Sequence, residues 1–250
     1  MVATVKRLRA GLLLTLLLPV LFACTEAQWQ QAGVDVLNQL NQAAHNGAPL
    51  TLAEIDDGLR EALRVGSQRV VTQVGQRNGY NGDATIRIPL PDKLAKARDY
   101  AKKFGLDKTF NEVEIKLNRA AERAAPLAKD LFWQAIRDMR MADVRAILDG
   151  PADAATRYFE GKMRPSLAQT MRPVVDRSLN EVGAIRSYNR ALKDYNAIPL
   201  APKFDYDLTG YVVGKGMDGL FHYLAEEEAA IRRDPLKRTT EILQRVFGQI

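Results

Sequence analysis

The feature that most limits the fold of this chain is a succession of helix-length amphipathic segments that begins at Thr51. The first segment opens with "TLAE", a capping box in which the Thr51 hydroxyl can accept from the backbone N–H of Glu54 while the Glu54 carboxylate returns to the N–H of Thr51. Apolar residues follow at nearly helical spacing: Leu52, Ile55, Leu59, Leu63, Val70 and Val74. This pattern predicts a capped helix from Thr51 to about Gln76.

Helix start and stop signals recur along the rest of the chain. "TFNE" at Thr109 is a second capping box, Gly105 is typical of a helix end, and Pro126 predicts a kink or a restart. We expect a short helix from Pro151, separate from the next one, and a long helix capped by Asp207.

The one extended stretch, "ATIRIPLP", has no partner strand in the sequence, so we expect a loop laid over helices. Without alternating strands and helices, the fold class is all-α, with about ten helices in one domain over residues 51–250. "DGLREAL" at Asp57 and "DGLFHYL" at Asp218 echo each other and predict two helices that are closely approached at a glycine.

A targeting segment precedes the helices. Residues 1–23 contain Lys6, Arg7 and Arg9 but no acidic residue, and their apolar run "GLLLTLLLPVLF" has 12 residues. A span of the bilayer takes roughly 20 residues, so this run is too short to cross comfortably. The pattern predicts a bacterial secretory signal peptide.

The only cysteine, Cys24, follows that signal directly. "LFAC" resembles a lipobox, although Phe22 stands where a small residue is usual, and it predicts that Cys24 is the lipidated first residue of the mature protein. A lone thiol exported into an oxidising compartment would otherwise be a liability. Thr25, rather than an aspartate, follows the cysteine, as in lipoproteins sorted to the outer membrane.

Two alternatives to the lipoprotein remain open: a signal cleaved after Ala27, which gives a soluble periplasmic protein, and an uncleaved N-terminal anchor. As a lipoprotein the protein would be periplasmic and anchored to the outer membrane. Its expected partners are the membrane, through the lipid, and an envelope protein. Residues 24–50, rich in Asn and Gln, predict a spacer with a short helix.

Composition limits the function classes. Hydrophobic residues make up 46% and charged residues 26% of the chain, which is ordinary for a folded domain. The formal net charge of +6 falls to +3 from residue 24 onward, without a basic stripe, so no nucleic-acid partner is expected. Standard catalytic and cofactor motifs are missing, so no cofactor is expected, and His45 and His222 lie too far apart to suggest a metal site.

The candidate site residues are charges in apolar surroundings. Arg119 and Glu122 are three residues apart in "LNRAAERAAP", and Glu228 and Arg232 are four apart, so each pair can meet on one helix face. Arg87, in the extended stretch, is the fifth candidate. Both interpretations stay open: structural ion pairs, or the lining of a ligand site.

Several segments together resemble one proteobacterial family, catalogued as domain of unknown function 4197. They are "LREALRVG", "IRIPLP", "LNRAAERAAP", "ILDGPADAATRYF", "RPVVDRSLNEVGAIRSYN" and "MDGLFHYLAEEEAAIRRDP", over roughly residues 50–248. Leu117 stands where the family commonly has methionine. The resemblance implies an exported, helical protein of Gram-negative bacteria, and it implies no activity.

Three functions follow from these observations. The first is a non-enzymatic envelope lipoprotein whose helical domain binds an envelope component. The alternative is a small-molecule or lipid-binding periplasmic module built around the five charged residues. The third is an enzyme that uses Glu122 or Glu228 as a general acid or base.

Overall fold

The computed structural model describes residues 49–140, 144–201 and 206–249, so Cys24, the signal peptide and the spacer lie outside the described residues. No strand occurs in the described ranges, which confirms the all-α class, and "ATIRIPLP" is a loop as predicted. Nine α-helices and one 3₁₀ turn (Pro235–Lys237) lie in these ranges: α1 (Leu52–Val74), α2 (Asp92–Lys102), α3 (Asp107–Leu127), α4 (Lys129–Asp138), α5 (Val144–Leu148), α6 (Ala154–Glu181), α7 (Ala184–Asn196), α8 (Leu208–Arg233) and α9 (Glu241–Phe247).

Two predicted helix caps are confirmed. At the start of α1 the Glu54 N–H donates to the Thr51 hydroxyl (3.1 Å), and the Thr51 N–H donates to the Glu54 carboxylate (2.8 Å). At the start of α8 the Asp207 carboxylate accepts from the N–H of Gly210 (2.9 Å). Each cap satisfies backbone donors that the first helical turn leaves without an intrahelical partner.

The capping box predicted at Thr109 is wrong. Gly105, with φ of 72°, ends the preceding helical turn in the left-handed region, and α3 begins soon afterwards at Asp107. Thr109 therefore already lies in the first turn of α3, where its hydroxyl donates to the carbonyl of Leu106 (3.1 Å).

The helix break predicted after the segment at Pro151 is also wrong. A single helix, α6, continues through Pro165 and Pro173. A proline in a helix interior costs about 3 kcal/mol, so packing has to offset two of them. The helix buries side chains along its whole length, from Phe159 through Leu167 to Leu179, and it packs against α3 and α8.

The core is centred on helices that are distant in sequence. Phe132 of α4, Phe159 of α6 and Phe221 of α8 form an aromatic cluster with ring centroids 5.8–6.0 Å apart. Such tilted and edge-to-face pairs add to the stabilisation from apolar burial. The cluster joins three helices, and α1 packs on α8 beside it.

Both glycines of the "DGL" echo lie at close approaches, as predicted. A Cβ on Gly58 would lie 2.6 Å from Val246 of α9, and a Cβ on Gly219 would lie 2.9 Å from Tyr80 and 3.0 Å from Ile86. Only a residue without a side chain lets these segments pack at such distances.

Residues 75–91, here called the connecting segment, join α1 to α2 across the surface of other helices. Asn118 of α3 holds the backbone of Ile88 on both sides, accepting its N–H (2.8 Å) and donating to its carbonyl (2.7 Å). Tyr80 donates its hydroxyl to the carbonyl of Gly216 (2.7 Å), and Tyr211 donates to that of Pro89 (3.0 Å). Two side chains, of α3 and α8, and one backbone carbonyl of α8 thus hold this segment in place of a partner strand.

Candidate functional site

Glu228, on α8, has no exposed surface, and its carboxylate is fully engaged. It accepts the backbone N–H groups of Ala155 (3.1 Å) and Thr156 (2.7 Å) and the hydroxyl of Thr156 (2.7 Å). These donors lie in the first turn of α6, whose own N-cap residue, Asp153, makes no capping bond. The carboxylate of one helix therefore caps another.

Arg232 lies one turn further along α8 and pairs with Glu228 at 2.8 Å. Its guanidinium also donates to the carbonyls of Leu148 (2.6 Å) and Ile147 (3.1 Å), which end α5. The pair thus closes two helix ends at once, with the negative charge at the start of α6 and the positive charge at the end of α5. Both charges match the helix dipoles that they meet.

Glu122, on α3, plays a similar part beneath the connecting segment. Its carboxylate accepts the backbone N–H groups of Tyr80 (3.2 Å) and Asn81 (3.0 Å) and pairs with Arg119 at 2.6 Å. Arg119 also donates to the side-chain carbonyl of Asn78 (2.7 Å). Burial, with the charges of Asp218 and Glu122 as lesser causes, raises the pKa of the Tyr80 hydroxyl.

Arg87 lies apart from both pairs. Its side chain is 46% exposed, its guanidinium pairs with Glu114 of α3 at 2.8 Å, and Arg98 shares the same carboxylate. The contacts of Arg87 include none with the other four candidates. The structure therefore places the five predicted residues in three clusters, and ligand binding by them stays a prediction.

A surface groove of about 790 Å³ runs along the outer face of α8. None of the five candidates lines it; its residues are Gln73, Pro151, Ala152, Asp153, Arg157, His222, Tyr223, Ala225, Glu226, Glu227, Ala229, Ala230 and Arg233. The Tyr223 hydroxyl donates to Asp83, which holds the pKa of that carboxyl below its usual range. The same bond, followed by burial, raises the pKa of Tyr223 to about 12.

The charges along this groove are largely neutralised by neighbours. Arg157 pairs with Asp153 (2.8 Å), and Arg69 pairs with Glu227 (2.9 Å). Its apolar lining comes mostly from four alanines, Ala152, Ala225, Ala229 and Ala230, whose short side chains offer a ligand little apolar depth. The groove therefore does not favour any one class of ligand.

In the part of the chain that the structure describes, no three His, Cys, Asp or Glu side chains converge as metal ligands would. None of the helices described is both long and apolar enough to cross a bilayer.

Sequence spacing identified both ion pairs but not the backbone groups that they hold. The N–H of Ala155 is 73 residues from Glu228, and the N–H of Tyr80 is 42 residues from Glu122. A backbone donor has no side-chain signature, so only the tertiary structure reveals it. The one available signal was Asn118, a buried amide among alanines that marks a helix facing irregular backbone.

A family model described as "Protein of unknown function (DUF4197)" matches residues 49–248. Neither the curated proteins nor the solved structures contain a match to the chain.

Proposed function

The chain belongs to the family described as Protein of unknown function (DUF4197), and we propose that it is a non-enzymatic lipoprotein of the cell envelope. In this proposal a lipid on Cys24 anchors the protein to the outer membrane. The helical domain faces the periplasm and binds another envelope component.

The observation that carries the non-enzymatic part is the engagement of the two candidate carboxylates. A general acid or base has to come within hydrogen-bond reach of a substrate proton. Glu228 is wholly buried and directs both oxygens at Ala155, Thr156 and Arg232. Glu122 is 4% exposed and is likewise taken up by donors of its own chain. These contacts favour a structural role over an acid–base role.

The anchor is supported by the sequence alone, through the lipobox-like "LFAC" and the single thiol. A diacylglyceryl group on the Cys24 sulfur and a further acyl chain on its amine would hold the protein firmly, because each buried methylene contributes about 0.8 kcal/mol. The spacer would then separate the helical domain from the membrane surface.

Palmitate labelling and cell fractionation test the anchor. Cys24→Ala is expected to abolish labelling and to release the domain into the soluble periplasm. Thr25→Asp is the matched control, because it should keep the label and move the protein to the inner membrane. An unlabelled parent chain would contradict the lipoprotein and favour cleavage near Ala27.

Crosslinking in intact envelopes, followed by pull-down, tests the binding part. We expect one envelope component to be recovered in independent preparations and to be displaced by an excess of unlabelled chain. A chain that captures nothing reproducibly would contradict this part while leaving the anchor unaffected.

A further inference from the structure

A second groove, here called the Trp133 groove, lies between α1, α4 and α9, and neither buried ion pair lines it. We propose that it binds a small amphiphile with an apolar body and a single carboxylate. The groove has a volume of about 460 Å³, within the range of small-molecule sites, and is lined by Asp57, Arg60, Glu61, Arg64, Trp133, Ile136, Arg137 and Ile242. This inference does not depend on where the protein is located.

The groove has an apolar floor made of Trp133, Ile136 and Ile242. The Trp133 indole is half-buried, and its N–H is enclosed without a hydrogen-bond acceptor among the described residues. Because this N–H is enclosed, a ligand in the groove meets the indole ring and not the donor. The floor therefore suits an apolar body.

Two of the three arginines on the rim are already neutralised. Arg60 donates to Asp56 and, at the end of α4, to the carbonyls of Ile136, Arg137 and Met139. Arg64 binds Glu61 through two hydrogen bonds of 2.6 and 2.8 Å. Neither guanidinium is therefore the main anchor for a new anion.

Arg137 and Lys129 are the cations left over, since neither forms an ion pair with a described residue. Arg137 is an exposed residue on the rim, and the Lys129 ammonium lies 4.8 Å from the centroid of the Trp133 ring. Both belong to α4. Lys129 is not among the residues that line the groove, so the α4 side presents one positive charge without an anionic partner among the described residues, that of Arg137, which favours an anionic group beside the apolar floor.

The α1 wall of the groove carries acidic side chains, which limit the ligand to a single carboxylate. Asp57, on α1, has no cationic partner among the described residues, and Glu61 lies one turn further along the same helix. A second carboxylate on the ligand would meet these two acids. The proposed ligand therefore directs its single carboxylate at α4 and lays its apolar body over Trp133 and Ile242.

Tryptophan fluorescence tests this proposal in the full chain. Cys24→Ala removes the competing lipid, and Trp29→Phe leaves Trp133 as the only tryptophan. Decanoate, below its micelle concentration, is expected to change the Trp133 emission saturably. Decanol, with the same apolar body and no charge, is expected to bind about tenfold more weakly, as for the loss of one charge-assisted contact.

Arg137→Gln is expected to lower the decanoate affinity about tenfold and to leave decanol binding unchanged. Arg177→Gln is the matched control, because Arg177 is also exposed and unpaired among the described residues but does not line the groove. Circular dichroism should show the same helix content in all variants. Equal affinities for decanoate and decanol, no saturable change, or equal losses in both arginine variants would each overturn the proposal.

Discussion

The two buried ion pairs of this protein both hold backbone N–H groups of a distant segment, but they differ in how far water reaches the arginine of the pair. Glu228 and Glu122 each accept two backbone N–H groups from a segment distant in sequence, and each pairs with an arginine on its own helix. The partners differ, because the Arg232 side chain is 6% exposed whereas that of Arg119 is 26% exposed.

This difference determines what remains when a carboxylate is removed. Arg232 would be left as an enclosed charge whose other contacts are backbone carbonyls, whereas Arg119 could turn its guanidinium toward water. Breaking a buried pair costs far more than breaking one that solvent reaches. The same motif is therefore expected to tolerate substitution at Glu122 better than at Glu228.

The largest expected effect is that of Glu228→Ala. The substitution removes the carboxylate that caps α6 and leaves the buried charge of Arg232 without its partner. The free energy of unfolding should therefore fall by about 3–5 kcal/mol. Urea denaturation followed by circular dichroism measures the loss. Glu226→Ala, on the same helix but with a side chain 61% exposed, is the control and should stay within about 0.5 kcal/mol of the parent chain.

Replacing both members of that pair sharpens the comparison. The double variant Glu228→Leu with Arg232→Met removes both charges, so no unpaired charge is left, but the ends of α5 and α6 still lose their caps. We expect a loss of about 2–3 kcal/mol, smaller than that of Glu228→Ala. A double-mutant cycle checks this expectation, and losses that simply add would contradict the coupling.

Glu122→Ala is expected to have a smaller effect, a loss of about 1–2 kcal/mol in the free energy of unfolding. The N–H groups of Tyr80 and Asn81 lose their acceptor, while Arg119 can be hydrated. Arg123→Ala breaks the exposed pair with Glu181 and serves as the control, with an expected change within about 0.5 kcal/mol. A loss at Glu122 as large as that at Glu228 would refute the role given to solvent access.

The smallest effect is expected at Glu54, the carboxylate of the capping box at the start of α1, whose side chain is 27% exposed. Its hydrogen bond from Arg245, followed by those from Thr51, lowers its pKa from 4.5 to about 2. Because the folded-state pKa is the lower one, its stabilising contribution is complete above the unfolded pKa and is lost as the pH falls toward about 2.

Carboxyl NMR titration measures that pKa directly. In the parent chain the Glu54 midpoint is expected at about 2, and Arg245→Gln should move it toward 4.5. Arg177→Gln should leave it unchanged. A midpoint near 4.5 in the parent chain would contradict the contact between α1 and α9.

Sequence reasoning succeeded where the deciding contacts are local. The caps at Thr51 and Asp207 each involve residues three positions apart, so they are visible in the sequence. It failed at Thr109 and across Pro165 and Pro173, where tertiary packing and a glycine turn override local preference.

The same distinction between local and tertiary contacts decides which parts of the candidate site could be predicted. The pairing of Glu228 with Arg232 follows from their spacing, but the capped end of α6 does not. The Trp133 groove was not predicted, because its walls come from three helices separated by long stretches of sequence. The pairings of Arg64 with Glu61 and of Arg60 with Asp56 were available as local signs of one wall.

The most direct test of the structural role of the two carboxylates is urea unfolding of Glu228→Gln and Glu122→Gln at pH 7, with Glu226→Gln as the reference. Glutamine keeps the shape and removes the charge. We predict the largest loss of stability in Glu228→Gln, a smaller loss in Glu122→Gln, and a change within about 0.5 kcal/mol in the reference. If Glu228→Gln and Glu122→Gln both unfold at the urea concentration of the parent chain, these carboxylates do not hold the fold together.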